Sequence, residues 1–209
     1  LKPALEQRGY EVVVFHTTGM GGRAMEALAS GGSFAAVMDF SLVEVSNHQN
    51  GSVVNAGSDR LENAGLAGIP QIVAPGGVTL MDFQSWAPPK EHLNGREIHI
   101  HNRLISCAKL TAEEKRQAAK IIAQKLSKAN SPTAFIMPLN GIDEWDREGG
   151  PFNDPEGLAA FAETMRHELA DNVELHEINA HINDAPFVQT ALDIFDRWQS
   201  QGVIVSGVI

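Results

Sequence analysis

Short, β-branched-rich apolar runs alternate with helical periodicities along the whole chain. Six runs read as buried strands: Val12–His16, Ala35–Asp39, Gln71–Ala74, Glu97–His101, Thr133–Met137 and Val173–Ile178. Runs of this length without polar alternation are what a sheet covered on both faces requires. Between them the apolar spacing changes to that of helices. Thr111-Ala-Glu-Glu114 has the form of a capping box, in which the Thr hydroxyl and the Glu carboxylate each take one amide of the first turn. The helix it opens is expected to run to about Asn130, with Ala118, Ile122, Leu126 and Ala129 on one stripe. Asp154-Pro155 reads as a cap followed by a first-turn proline, ahead of Leu158, Phe161, Ala162, Met165 and Leu169. Asp184 opens a third helix whose apolar face carries Phe187, Ala191, Ile194, Phe195 and Trp198. The alternation predicts an α/β fold: a doubly wound, mainly parallel sheet with helices on both faces, Rossmann- or flavodoxin-like. The last apolar stretch, Val203–Ile209, is a candidate edge strand.

Composition narrows the reading. With 209 residues, 43% of them hydrophobic, the chain has material for one sizeable core, and a single α/β domain over 1–209 is expected. The opening LKPALEQRGYEVVVFH reads as a helix end feeding a strand, which suggests the C-terminal half of a longer two-domain protein. No run approaches the roughly 18 apolar residues of a membrane span, so no membrane partner is expected. A net charge of -10 argues against a nucleic-acid partner. The chain carries one cysteine, Cys107, which is read as a buried small hydrophobe. No signal-type sequence is present, and the cytoplasm is the expected compartment.

Candidate chemistry is sought where strands end, because ligands of open parallel sheets bind at the carboxyl edge. After the first run comes Thr17-Thr18-Gly19-Met20-Gly21-Gly22-Arg23, a strand–glycine-turn–helix sequence that presents first-turn amides and the positive end of a helix dipole to an anion. It is neither a Walker loop nor a GxGxxG fingerprint. Gly76 and Gly77 follow the third run, Asn102 and Arg103 the fourth, and Asn140 and Gly141 the fifth. These thirteen residues form the expected anion or phosphate site, with Arg23 or Arg103 as countercharge. The acidic Pro138–Asn153 segment reads equally as a lid closing with Trp145 and as a surface loop packed on its own scaffold. Asp39, Glu44 and His48 form the candidate metal set, His99 and His101 share one side of a strand, and His181 and Asp184 lie at the same edge.

Taken together, VFHTTGMGGRAMEAL, MDFSLVEV, Asp59-Arg60-Leu61, GIPQIVAPGG, IHIHN, TAFIMPLNGIDEWDREGGPFNDPEG and INAHINDAPF resemble a known family over nearly the whole chain. It is the tomato-mosaic-virus-resistance-protein-like ATP-binding domain family, of which this chain resembles the C-terminal half. One position departs: Thr79 stands where the family usually has Asp, with Asp82 three residues later. The resemblance implies ATP as ligand, with Mg²⁺, a homo-oligomer, a preceding N-terminal α/β domain of the same protein, and, in the plant member, binding to a viral replication protein. Carried over by motif, Thr18, Gly19, Gly21, Gly22 and Arg23 are the expected phosphate-contacting residues. The expected function is therefore binding of ATP or another small anion at the carboxyl strand edge. Two alternatives stand beside it: a metal-assisted hydrolase or lyase of a small carboxylate, using Asp39, Glu44 and His48 with His101 or His181, and a dimerisation module without catalysis.

Overall fold

The computed structural model describes residues 1–89, 93 and 95–205. Four strands, β1 (Val37–Asp39), β2 (Gln71–Val73), β6 (Thr133–Pro138) and β7 (Val173–Ile178), pair in the order β1-β2-β6-β7, all parallel. Three others, β3 (Leu80–Gln84), β4 (Ile98–Ile100) and β5 (Ile105–Lys109), make an antiparallel sheet in the order β3-β5-β4. The α/β fold with a mainly parallel main sheet is therefore as expected.

Alternation along β6 explains the two covered faces. Phe135 and Met137 point to one side, where they meet Ile122 and Leu126 of α5 (Ala112–Leu126) and Phe161 and Met165 of α6 (Pro155–Glu168). Ala134 and Ile136 point to the other, against Phe187, Ile194, Phe195 and Trp198 of α7 (Ala185–Ser200), with Leu5 of α1 (Lys2–Glu6). Burying each such side chain contributes about 1.5–3 kcal/mol, which is why these stripes hold the layers together. Next to β1, α2 (Met20–Ser30) sets Met25 and Ala29 against Val37 and against Ala64 of the short α4 (Asn63–Leu66).

Several expectations are corrected. Val12–His16 is not a strand: it runs without secondary structure, and Val13 and Val14 are 57% and 72% exposed. A β-branched run becomes a strand only where a neighbour takes its main-chain groups, and no backbone–backbone hydrogen bond reaches Glu11–Phe15 among the described residues. Glu97–His101 contributes only Ile98–Ile100, and to the antiparallel sheet. The run Ala35–Asp39 shortens to Val37–Asp39. The α5 helix stops at Leu126 rather than near Asn130: Ser127 is its C-cap, and the Asn130 amide pairs with Gly65 O at 2.9 Å instead of within the helix. Val203–Val205 forms no strand, and 206–209 lie outside the described residues.

The helix signals hold. Both halves of the Thr111–Glu114 capping box are formed, and Asp154 Oδ1 accepts from the Gly157 amide at 3.0 Å. Glu114 also takes both arms of Arg96, each at 2.7 Å. Burial pushes its pKa up from the ordinary 4.5, but Arg96 and the Thr111 amide and hydroxyl outweigh burial and bring it to about 2. A depressed carboxylate pKa gives stability that is complete above the unfolded value and disappears as pH falls through the folded one. The full-length protein should thus lose stability between about pH 4.5 and 2. Arg96→Ala should flatten that slope in acid denaturation curves; an unchanged slope would show that the pair is not coupled to folding.

Candidate functional site

The turns leaving the parallel strands are tied to one another at the carboxyl edge. Thr17 Oγ1 lies 2.8 Å from Ser41 Oγ, just past β1. The Leu42 amide donates to the Gly76 carbonyl at 2.8 Å, and the Gly77 amide to Ile142 O at 3.2 Å. Asn140 N donates to Ala180 O at 3.1 Å, and Ile182 N to Gly141 O at 3.0 Å. Turns from the Val12–Phe15 segment, β1, β2, β6 and β7 therefore make one rim, joined by main-chain bonds among the turns after β1, β2, β6 and β7 and by the Thr17–Ser41 hydroxyl contact at the glycine turn.

Within that rim, the glycine turn is already occupied. Gly19, with φ of 91°, caps α2. Its amide donates to Glu44 Oε1 at 2.5 Å, and that of Gly22 to the same oxygen at 3.3 Å. Glu44 comes from α3 (Val43–Gln49) and is wholly buried. A Cβ on Gly22 would fall 1.9 Å from Glu44 Oε2, so only glycine lets this carboxylate approach. The helix N-terminus does bind an anion, but the anion is the protein's own side chain. Met20 and Gly21, first-turn positions whose amides have no intrahelical acceptor, are not among those Glu44 takes.

Arg60 sits behind Glu44. Its Nε donates to Glu44 Oε2 at 2.8 Å, its terminal nitrogens hold Asp39 in a two-point contact, and one of them reaches Glu26 Oε1 at 3.3 Å. All four side chains are under 5% exposed, so three carboxylates share one guanidinium out of reach of water. Burial opposes the charge on Arg60, yet Asp39 and Glu44 hold its pKa above the ordinary guanidinium value. Burial likewise raises the pKa of Glu26, against the Leu61 amide and Arg60. Leu61, the one non-glycine residue with positive φ (75°) among the described residues, is kept there as its amide donates to Glu26 Oε1 at 2.5 Å. The roles of Arg60 and Glu26 escape a motif search. The available signal is charge within an apolar pattern, since Glu26 falls between Met25 and Ala29 on the inner face of α2.

A second polar group pins the 139–153 loop. The His181 ring is 2% exposed; its Nδ1 accepts from the Asn183 amide at 3.0 Å, so Nε2 carries the proton it shares with Asp143 O (2.9 Å) and Asp146 Oδ1 (3.2 Å). Asp146 Oδ2 takes the Ile142 amide at 2.6 Å. Thr79 donates to the Asp143 carboxylate, whose pKa burial raises. Trp145 packs tilted against His99 (4.6 Å between ring centroids) and edge-to-face against His101 (5.2 Å) and Phe152 (5.8 Å). The loop is packed on its scaffold, the second of its two expected forms. Asp82 takes Cys107 Sγ at 3.1 Å and Asn47 Nδ2 at 2.8 Å, and burial followed by Asp82 raises the thiol pKa, leaving the cysteine a structural hydrophobe.

The predicted residues divide accordingly. The stretch Thr17–Arg23, Gly76, Gly77, Asn140 and Gly141 meet on the rim; Thr18, Met20, Arg23 and Asn140 are exposed there. Asn102 and Arg103 occupy the β4–β5 turn instead, where Asn102 Oδ1 accepts the amides of Leu104 and Ile105. The metal set does not assemble: Asp39 and Glu44 hold Arg60, while exposed His48 lies 3.3 Å from Asn55 Oδ1. No group of three or more His, Cys, Asp or Glu side chains is disposed to hold a metal ion among the described residues. Nor is any helix among them long and apolar enough to cross a membrane.

Comparison with known proteins places the chain in a family. Residues 1–199 match the model of the uncharacterised protein family UPF0261, C-terminal domain. A UPF0261 protein of Brucella melitensis is 49% identical over 207 residues, covering 99% of this chain and 50% of that protein. One from Clostridium tetani is 39% identical over 187 residues, 89% of this chain and 46% of the relative. The tomato ToMV resistance protein Tm-1(GCR237) is 34% identical over 199 residues, 93% of this chain and 26% of the relative. The chain spans about half the length of the curated bacterial relatives it matches. It belongs to the UPF0261 family and corresponds to that family's C-terminal domain.

Proposed function

We propose that this domain binds a small organic anion, ATP with Mg²⁺ or another phosphorylated or carboxylated metabolite, on the carboxyl-edge rim. The observation that carries the reading is the mutual hydrogen bonding of the turns that leave the parallel strands, which concentrates Thr17–Arg23, Gly76–Gly77 and Asn140–Gly141 on one surface. Glu44 and Arg60 change how such a ligand is held. Because Glu44 fills the inner side of the glycine turn, the ligand anion sits outside it, against Thr18, the first-turn amides of Met20 and Gly21 that Glu44 does not take, and the exposed Arg23. The buried ion cluster fixes the turn in advance, so little ordering entropy is lost on binding. The metal-assisted reading lacks comparable support, since two of its three ligands already pair with Arg60.

Isothermal titration of ATP into the full-length protein, with and without Mg²⁺, tests the proposal. Binding is expected, and Arg23→Ala should weaken it about tenfold, the loss of one charge-assisted contact of about 1.5 kcal/mol. Absence of heat at millimolar ATP, and with a panel of phosphorylated and carboxylated metabolites, would end it.

A further inference from the structure

The edge of the main sheet beside β1 is unfinished in a specific way. Val37 N donates to Pro70 O at 2.9 Å, and Asp39 O accepts from Ala74 N at 3.0 Å. In a parallel ladder, alternate residues turn their main-chain groups to opposite sides. Those of Met38, and by the same alternation Ala36 and Phe40, therefore face away from β2. Opposite them runs Glu11–Phe15, whose main-chain groups also lack backbone partners among the described residues. Between these two rows lies a cleft of about 620 Å³. Its walls are mainly apolar, with Val12, Val14 and Phe15 from one segment and Ala36, Met38 and Phe40 from the other, and Asp39 and Arg60 reach its lining as well. Val12 O takes only the Lys2 ammonium, at 2.9 Å; two facing rows without main-chain partners among the described residues, flanked by apolar side chains, are the two sides of a missing strand.

Topology gives the same answer. The order β1-β2-β6-β7 advances in one direction only, whereas a doubly wound sheet forms its binding crevice where the strand order reverses. The connection from Val12–Phe15 through α2 to β1 has the form of a strand–helix–strand crossover that passes over one empty strand position. Filling that position would place a strand on the far side of β1, with the glycine turn beside the resulting crevice.

We propose that the cleft holds an extended segment of the same polypeptide, contributed by the part of the full-length protein that lies outside these residues. The amount of chain is sufficient, since the Brucella relative is about twice as long as the region it shares with this chain. The strand would join Glu11–Phe15 and β1 into one sheet. The inference does not depend on which ligand occupies the rim.

The test uses the full-length protein. In hydrogen–deuterium exchange, peptides covering 11–15 and 36–40 should both be protected at concentrations where the protein is monomeric. Rapid exchange of either peptide overturns the proposal. Protection that vanishes on dilution to monomer assigns the strand to a second copy and overturns the proposal too. Direct collapse of 11–15 onto β1 would also protect, so a second measurement separates it. Val13→Cys or Val14→Cys is combined with Ala36→Cys or Met38→Cys and oxidised. With a strand in between, the Cα atoms are about 9–10 Å apart, beyond disulfide reach, and no combination should cross-link. A disulfide in any combination would mean that no strand intervenes.

Discussion

Arg60→Met should be the most damaging single change at a charged residue. The substitution leaves Glu26, Asp39 and Glu44 together without their shared cation, all less than 5% exposed. Removing one member of a buried ion pair while leaving the other charge in place costs about 3–5 kcal/mol. For a protein of this size that corresponds to a fall of roughly 6–20 °C in Tm. Arg60→Lys should be intermediate, because an ammonium keeps the charge but loses the fork that contacts Asp39 at two points and Glu44 and Glu26 besides. Adding Glu44→Gln to Arg60→Met should recover part of the loss, since one unpaired charge is gone. These quantities come from thermal and urea unfolding of the full-length protein and its variants. If Arg60→Met unfolds at the wild-type midpoint, the cluster does not hold the glycine turn.

The contrast between what the sequence made legible and what it did not follows the physics of each element. Helix ends were readable because a cap is local: Thr111 and Glu114 are three residues apart, and Asp154 reaches an amide three residues on. Strand β6 was readable because every residue from Thr133 to Pro138 is buried, leaving an uninterrupted apolar run. Strands β3 and β5 were missed because Leu80-Met81-Asp82-Phe83-Gln84 and Ile105-Ser106-Cys107-Ala108-Lys109 mix polar and apolar side chains without a regular period, and the strands depend on each other from 25 residues away, as in the Asp82–Cys107 pairing. The same argument covers Val12–Phe15, where composition favours a strand but pairing decides.

The glycine turn shows where motif reasoning stops. Its glycines, its helix start and its position at a strand edge all pointed to an anion, and an anion is there. What no local pattern reveals is that Glu44, more than twenty residues further along, supplies it. Arg60 in turn neutralises Glu44 and Asp39, which is how so acidic a cluster is tolerated under the rim. A motif specifies what a backbone can bind, and only the tertiary fold decides whether a ligand or a side chain takes the place.

Gly141→Ala should show how tightly the opposite part of the rim is built. Gly141 has a φ of 129°, a conformation that costs an L-residue about 1–3 kcal/mol. A Cβ there would lie 2.4 Å from both Asp146 Oδ1 and His181 Cδ2, in a site where both partners are buried. Overpacking of this kind adds about 1–3 kcal/mol, so a total loss of about 2–6 kcal/mol is expected in urea unfolding. The damage should spread along the loop: moving Asp146 frees the Ile142 amide, and moving His181 removes the donor to Asp143 O. Trp145, between His99 and Phe152, would lose its fixed surroundings, so the near-ultraviolet circular dichroism of the folded variant should weaken. Binding at the rim should weaken as well, because Asn140 is the neighbouring residue and its amide is tied to Ala180 O. Gly149→Ala provides the control. Gly149 is in the same loop at positive φ with open space around it, so it should show backbone strain alone and leave the Trp145 signal intact. Equal losses in the two variants would mean that the His181–Asp146 contact contributes nothing to holding the loop.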